Sequence, residues 1–281
     1  MFPALNATIL TGRAGWPEMA ELAAKAGFAG VDIQSKALEA GPAATRELLD
    51  RLKLKPAVIP FPAEFRKDEA TFQGGLKELE AMAKLGAAIG CPRMATWILP
   101  SSELPFAEQR ALYVKRMRAA ASILAASGVR LGLEFVSPVH LRKRLPHPFI
   151  YDLKGMAALA ADCGPNVGLL LDCWHWHHAQ NTVQDIVQVG AKMIVHVHVN
   201  DAARKDPEQV LDNDRLMPGE GVIDLAGFFG ALKKINYPDA VSVEVFGRGL
   251  KEMTPAAAVQ LASDTTRAVM RRAGVLSSGV W

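Results

Sequence analysis

At 281 residues, half of them hydrophobic and 22% charged, the chain has ample material for a large core and too little charge for a disordered one. A formal net charge of +3, with basic residues scattered except at Arg142, Lys143 and Arg144, argues against a nucleic-acid partner. The cysteines Cys91, Cys163 and Cys173 form no CxxC pair, and the start lacks a basic segment followed by a long apolar run; these features read as a cytoplasmic protein without a disulfide framework, signal peptide or membrane span.

Short β-rich apolar runs alternate with helical stretches from one end to the other. A strand over 4–10 precedes a helix near 17–26, and a strand over 30–34 precedes one at 43–52. Strands at 54–59 and 93–98 then lead into helices at 69–89 and 107–127. The pattern continues with strand 129–136 and helix 153–163, strand 167–172 and helix 183–190. Strand 193–199 with helix 225–235, and strand 240–246 with helix 255–272, complete it. The strands are nearly continuous apolar runs, as parallel strands covered on both faces require.

Helix starts carry capping residues, Asp68, Thr182, Asp224 and Thr254, while Pro17 suits a first turn. Gly27 and Gly128 stand where a left-handed residue stops a helix before the next strand. Eight such units predict an α/β protein, a (β/α)₈ TIM barrel, with residues 1–281 as one domain. An open nucleotide-binding sheet would carry a GxGxxG turn after its first strand, and Thr11-Gly12-Arg13-Ala14-Gly15-Trp16 does not supply one.

Metal-binding residue types stand at the carboxyl ends of the last four strands: Glu134 in LGLEFVSP, Asp172 in LLLDCWHWHH, His198 in IVHVHVND and Glu244 in VSVEVF. A carboxylate ending an apolar strand is costly to desolvate unless a cation faces it, and strand ends on this side are where barrel active sites are built. Three carboxylates and one imidazole form a mostly hard donor set suited to one divalent ion, Mn²⁺, Mg²⁺ or Co²⁺, with Zn²⁺ also open.

These residues, with Asp172-Cys173-Trp174-His175, His196-Val197-His198-Val199-Asn200-Asp201, the Pro218–Asp224 loop and Ser242-Val243-Glu244, resemble the xylose-isomerase-like sugar phosphate isomerase/epimerase superfamily. The likeness covers nearly the whole chain and includes the run from Leu22 to Asp32. It implies that Glu134, Asp172, His198 and Glu244 bind the metal and that Glu134 and Glu244 are catalytic, exchanging a substrate proton. It also implies that His175, and Arg204 six residues after the metal histidine, contact substrate hydroxyls. One departure is His140, which stands where the related ketose 3-epimerases carry a glutamate, and it leaves substrate and reaction subtype open.

The reaction expected is isomerisation or epimerisation of a sugar or sugar derivative. A metal polarises the carbonyl, a glutamate takes the neighbouring proton, and an enediolate results. The same first step begins dehydration of a keto-sugar or keto-inositol, so a lyase is the alternative. A phosphodiester hydrolase on this barrel would need further ligands on earlier strands, where Asp32 is the only acidic candidate and no histidine precedes His140. A module that merely binds sugar is a third option.

His140, Trp97 and Trp174 are further candidates for contact with a small sugar substrate, against the plainer reading of the tryptophans as core. His196 faces the same side as His198 one layer deeper, as a structural or supporting residue. Arg142, Lys143 and Arg144 follow the Glu134 strand, so they either hold a substrate anion or form a solvated loop. Gly219 and Gly221 permit a mobile turn that closes the mouth with Glu220 near the site, or a plain connection. Outer helices offer a face for a homo-oligomer, although no apolar stripe marks one.

Overall fold

The computed structural model describes residues 1–276. Residues 277–281, the last of the expected domain, lie outside the described residues. Eight parallel staves form the centre: β1 Phe2–Leu5, β2 Gly30–Val31, β3 in two pieces (Lys55–Pro56 and Ile59–Pro60), β4 Arg93–Ile98, β5 Arg130–Phe135, β6 Val167–Asp172, β7 Ile194–Val199 and β8 Ala240–Val243. β1 lies between β2 and β8, as only a closing sheet allows for its first and last strands. The two pieces of β3 complete the ring, the first pairing with β2 and the second with β4.

Each stave is followed by a helix that covers it from outside: α1 Glu18–Lys25, α2 Pro42–Leu52, α3 Glu69–Ala88, α4 Phe106–Ala125, α5 Leu153–Cys163, α6 Val183–Val189, α7 Leu225–Lys234 and α8 Pro255–Arg272. The expected caps form. Asp68, Thr182, Asp224 and Thr254 accept the backbone N–H of Thr71, Asp185, Gly227 and Ala257. Gly27 and Gly128 take positive φ, ending helices where a side chain would be strained. Burial of the staves and inner helix faces yields one large apolar core, with every residue of β6 and β7 buried. Among the described residues, no helix is long and apolar enough to cross a membrane.

Several predicted boundaries move. The first strand stops at Leu5 because the Asn6 side chain accepts the Thr8 N–H at 2.9 Å and turns the chain into a 3₁₀ helix, Ala7–Leu10. The third strand is split between Pro56 and Ile59, where Ala57 still donates to Val31 O at 2.9 Å and Val58 O accepts from Ile33 at 2.8 Å. Pro17 caps α1 from outside rather than entering its first turn. Ladder pairing in β8 ends at Val243, so Glu244 stands just past the strand, its N–H still donated to Val199 O at 3.1 Å.

The amino-terminal end of the barrel is plugged by Ala4, Ala57 and Ala240, packed with Phe2. Arg93 donates to Ala57 O and Pro56 O and pairs with Asp239 at 2.5 Å, which fixes the split third stave there. The opposite end is left to polar side chains.

Candidate metal centre

Register decides which side chains meet at the carboxyl end. His198 is level with Asp172 on β6 and Ser242 on β8, and Glu134 is level with Trp97 on β4. Glu134, Asp172, His198 and Glu244 each bring one ligand atom to a cluster in which all four lie within 4.8 Å of one another. His198 Nδ1 is 3.6 Å from Glu134 Oε1, 3.9 Å from Asp172 Oδ2 and 3.2 Å from Glu244 Oε2. Glu134 Oε1 and His198 Nδ1 are nevertheless buried without a hydrogen-bond partner among the described residues. Two such atoms aimed into one oxygen-rich cluster are what a divalent ion would satisfy, so the residues fit a metal.

Arg215 brings a guanidinium to the same carboxylates. Its Nη1 donates to Asp172 Oδ2 at 2.6 Å and to Glu244 Oε2 at 2.7 Å. Nη2 donates to Asp212 Oδ1 at 3.2 Å and lies 3.2 Å from His175 Nε2, while the Ser137 backbone N–H donates to His175 Nδ1 at 3.3 Å. Burial holds His175 below its ordinary range. The Arg215 guanidinium lies over Phe246 at 4.7 Å and Trp174 at 5.6 Å.

These charges split the carboxylates. Burial pushes Glu134 up to about 8, with the Glu244 charge adding to it. Burial opposes charge on Asp172 as well, but Arg215 and the histidines hold it well below the usual range. Glu244 is also held low, by His198 and Arg215 against burial. His198 is raised well above its ordinary value by Glu244 and Glu134, despite burial.

Asn200, fully buried, braces the cluster by donating to Asp172 Oδ1 at 2.9 Å and Glu244 O at 3.2 Å. Cys173 points away from the centre and donates to Asn200 Oδ1 at 3.1 Å. Asp32 accepts from Asn6 at 2.8 Å and Ser242 at 2.6 Å, and burial raises it to about 7. His196 lies beneath, its ring nitrogens unpartnered among the described residues, and burial keeps it well below its ordinary value. Asp32, His196 and His198 also bring ligand atoms within 4.8 Å of one another.

A cavity of about 540 Å³ opens onto Glu134 and Glu244, and His140, His175, Arg215 and Trp97 line it. A neighbouring hollow of about 390 Å³ shares Trp97 and both glutamates and reaches Asp32 and His198. His140 is oriented by Nδ1, which donates to Val210 O at 3.0 Å. Trp97 is 44% exposed, with the Arg66 guanidinium stacked on it at 3.9 Å.

Two expected contacts fall elsewhere. Trp174 is 1% exposed, on the short helix Cys173–His178, where it packs against His178 and behind Arg215 and does not line the cavity. Arg204 lines a separate hollow with His177, His178, Gln180 and Lys205. Counting six residues from His198 assumes a direct path. Instead Asp201–Ala202 pairs antiparallel with Arg215–Leu216, and this hairpin brings Arg215 to the cluster. Arg215 was missed; its signal was a lone arginine three residues before Pro218-Gly219.

The Pro218–Asp224 loop is pinned rather than free to swing. Asp201 accepts the N–H of Gly219, Gly221 and Ile223, each at 2.9 Å, and of Ala202 at 2.8 Å. A Cβ on Gly221 would come within 2.2 Å of Ala202 O, so only glycine fits this wrap. Glu220 pairs with Arg248 at 2.6 Å instead of reaching the cluster.

The model of the xylose isomerase-like TIM barrel family matches residues 20–269. The chain belongs to that family. Inosose isomerase of Halalkalibacterium halodurans is 26% identical over 239 residues, 80% of each chain. A xylose isomerase domain protein from Alicyclobacillus acidocaldarius superposes with a TM-score of 0.89 at 29% identity, covering 98% of this chain and 99% of that one. A crystal structure of the IolI protein with a zinc atom bound shares the fold, with a TM-score of 0.83 at 23% identity over 97% of this chain and 99% of that one.

Proposed function

We propose that the chain is a divalent-metal-dependent isomerase or epimerase of a sugar or sugar derivative, a single barrel domain over residues 1–281 in which Glu134 and Glu244 move a proton beside a carbonyl. The observation that carries this reading is the convergence of four ligand atoms from four consecutive staves, two of them buried without a partner. The inosose isomerase relative supports the reaction class.

Glu134, Asp172, His198 and Glu244 would hold the ion, Mn²⁺, Mg²⁺ or Co²⁺, or the Zn²⁺ that the sequence also left open and that the IolI neighbour binds. When bound, the ion supplies a Lewis acid that makes the proton beside a substrate carbonyl easier to remove. Glu244, kept ionised beside His198 and Arg215, takes that proton. Glu134, facing the substrate from another stave, is the second carboxylate placed to exchange a proton with it. β6 and β7 stand between the staves bearing the two glutamates, so the carboxyl groups approach a substrate from different sides. His175 and Arg215 orient its hydroxyls, and Trp97 offers an apolar face.

The test is solvent-deuterium uptake across a panel of ketoses and keto-cyclitols, before and after chelator treatment. Exchange should vanish on metal removal, return with one of these ions, and fall about 10²-fold or more in Glu244→Gln. Full exchange in metal-free protein would reject the proposal. Loss of water from the substrate, read by mass spectrometry, would instead place the chain among the lyases.

A further inference from the structure

The three cations after β5 have different fates. Arg142 is spent inside the protein, donating to Ser137 O at 2.5 Å and His178 O at 3.1 Å and stacking on Tyr151 at 3.9 Å. Lys143 is turned outward, paired with Glu208 at 2.8 Å. Arg144 lines the cavity above Glu134 and Glu244, exposed at its mouth, and has no ion-pair partner among the described residues. The other cation lining that cavity, Arg215, is neutralised by Asp172, Glu244 and Asp212. One uncompensated positive charge therefore faces a cavity whose floor is acidic.

Resting on the isomerase reading above, we propose that the substrate carries a carboxylate, which Arg144 binds at the mouth while the keto end reaches the two glutamates. A single planar guanidinium matches a single planar monoanion, with two parallel N–H donors for two oxygens. A phosphate dianion would call for a second cation, and Arg142 and Lys143 are both engaged elsewhere. Asp212, the carboxylate nearest the mouth, is paired with Arg215 at 3.2 Å and makes no ion pair with Arg144. Leu141, Leu211 and Phe246 line the same cavity and give it apolar wall.

The experiment titrates Mn²⁺-loaded protein calorimetrically with D-fructose, 5-keto-D-gluconate and D-fructose 6-phosphate, alongside solvent-deuterium exchange on the same compounds. The keto acid should bind about tenfold more tightly than D-fructose at low salt. That preference should shrink at an ionic strength of about 1 M, where the screening length is about 3 Å. It should collapse in Arg144→Gln and persist in Lys143→Gln. A preference that survives Arg144→Gln reflects chelation by the metal and overturns the proposal, as does a phosphate ester that outbinds the keto acid. If D-fructose binds and exchanges deuterium while the keto acid gains nothing, the carboxylate assignment alone fails. If wild type binds and exchanges none of the three, the isomerase reading falls and takes the assignment with it.

Discussion

Arg215 and Asp172, 43 residues apart in sequence, meet at 2.6 Å in the interior of the barrel mouth, and the same guanidinium nitrogen reaches Glu244 at 2.7 Å. Arg215 thus carries part of the positive charge these carboxylates need. Removing it from metal-free protein leaves two buried carboxylates facing each other, at a cost of about 3–5 kcal/mol. Urea unfolding of Arg215→Met should show that loss, and Mn²⁺ should recover more stability in the variant than in wild type. Equal recovery in both would mean that Arg215 and the ion do not share the same charges.

Asn200 touches no open space, yet its amide fixes the Asp172 oxygen that faces away from the cluster. Outer hydrogen bonds of this kind orient ligands. Asn200→Ala should weaken Mn²⁺ binding by about 10–100-fold while changing stability far less than Arg215→Met does. Unaltered affinity by calorimetry would leave Asn200 a packing residue only.

Glu134 has a folded value of about 8 against an ordinary 4.5, with burial as the main cause. The folded chain therefore holds this proton more tightly than the unfolded chain does. Its contribution to metal-free stability is full below about pH 4.5 and is lost as pH rises through about 8. An ion binding there must displace the proton. Mn²⁺ affinity should accordingly climb as pH rises toward about 8, where the Glu134 share of the climb ends and the raised His198 adds its own, with proton release seen as a buffer-dependent binding heat. Glu134→Gln should flatten the climb; an unchanged slope would assign the linked proton to another group.

Asp201 holds the loop that follows Arg215 through three backbone N–H groups, of Gly219, Gly221 and Ile223. Asp201→Ala strands those donors, and a loss of about 3 kcal/mol is expected. Limited proteolysis should then cut within 217–224, and Mn²⁺ binding should weaken because the Arg215 hairpin loses its support. A variant as protease-resistant as wild type would show that the loop is held by other contacts.

Eight strand–helix units, four helix caps and the left-handed stops at Gly27 and Gly128 were legible in the chain because each depends on neighbours within a few residues. Glu134, Asp172, His198 and Glu244 were legible as candidates for a related reason: an acid or imidazole ending an apolar strand stands out locally, and the barrel fixes which end of every strand faces the mouth. Tertiary structure alone decided that Arg215 rather than Arg204 meets the cluster, that Trp174 packs behind it, that Asp201 pins the Pro218–Asp224 loop, and that of three adjacent cations Arg144 is the one left facing the cavity. Each of those outcomes depends on groups far apart in the chain competing for the same partner, and a hairpin or a single buried carboxylate settles the competition in a way that spacing along the sequence does not encode.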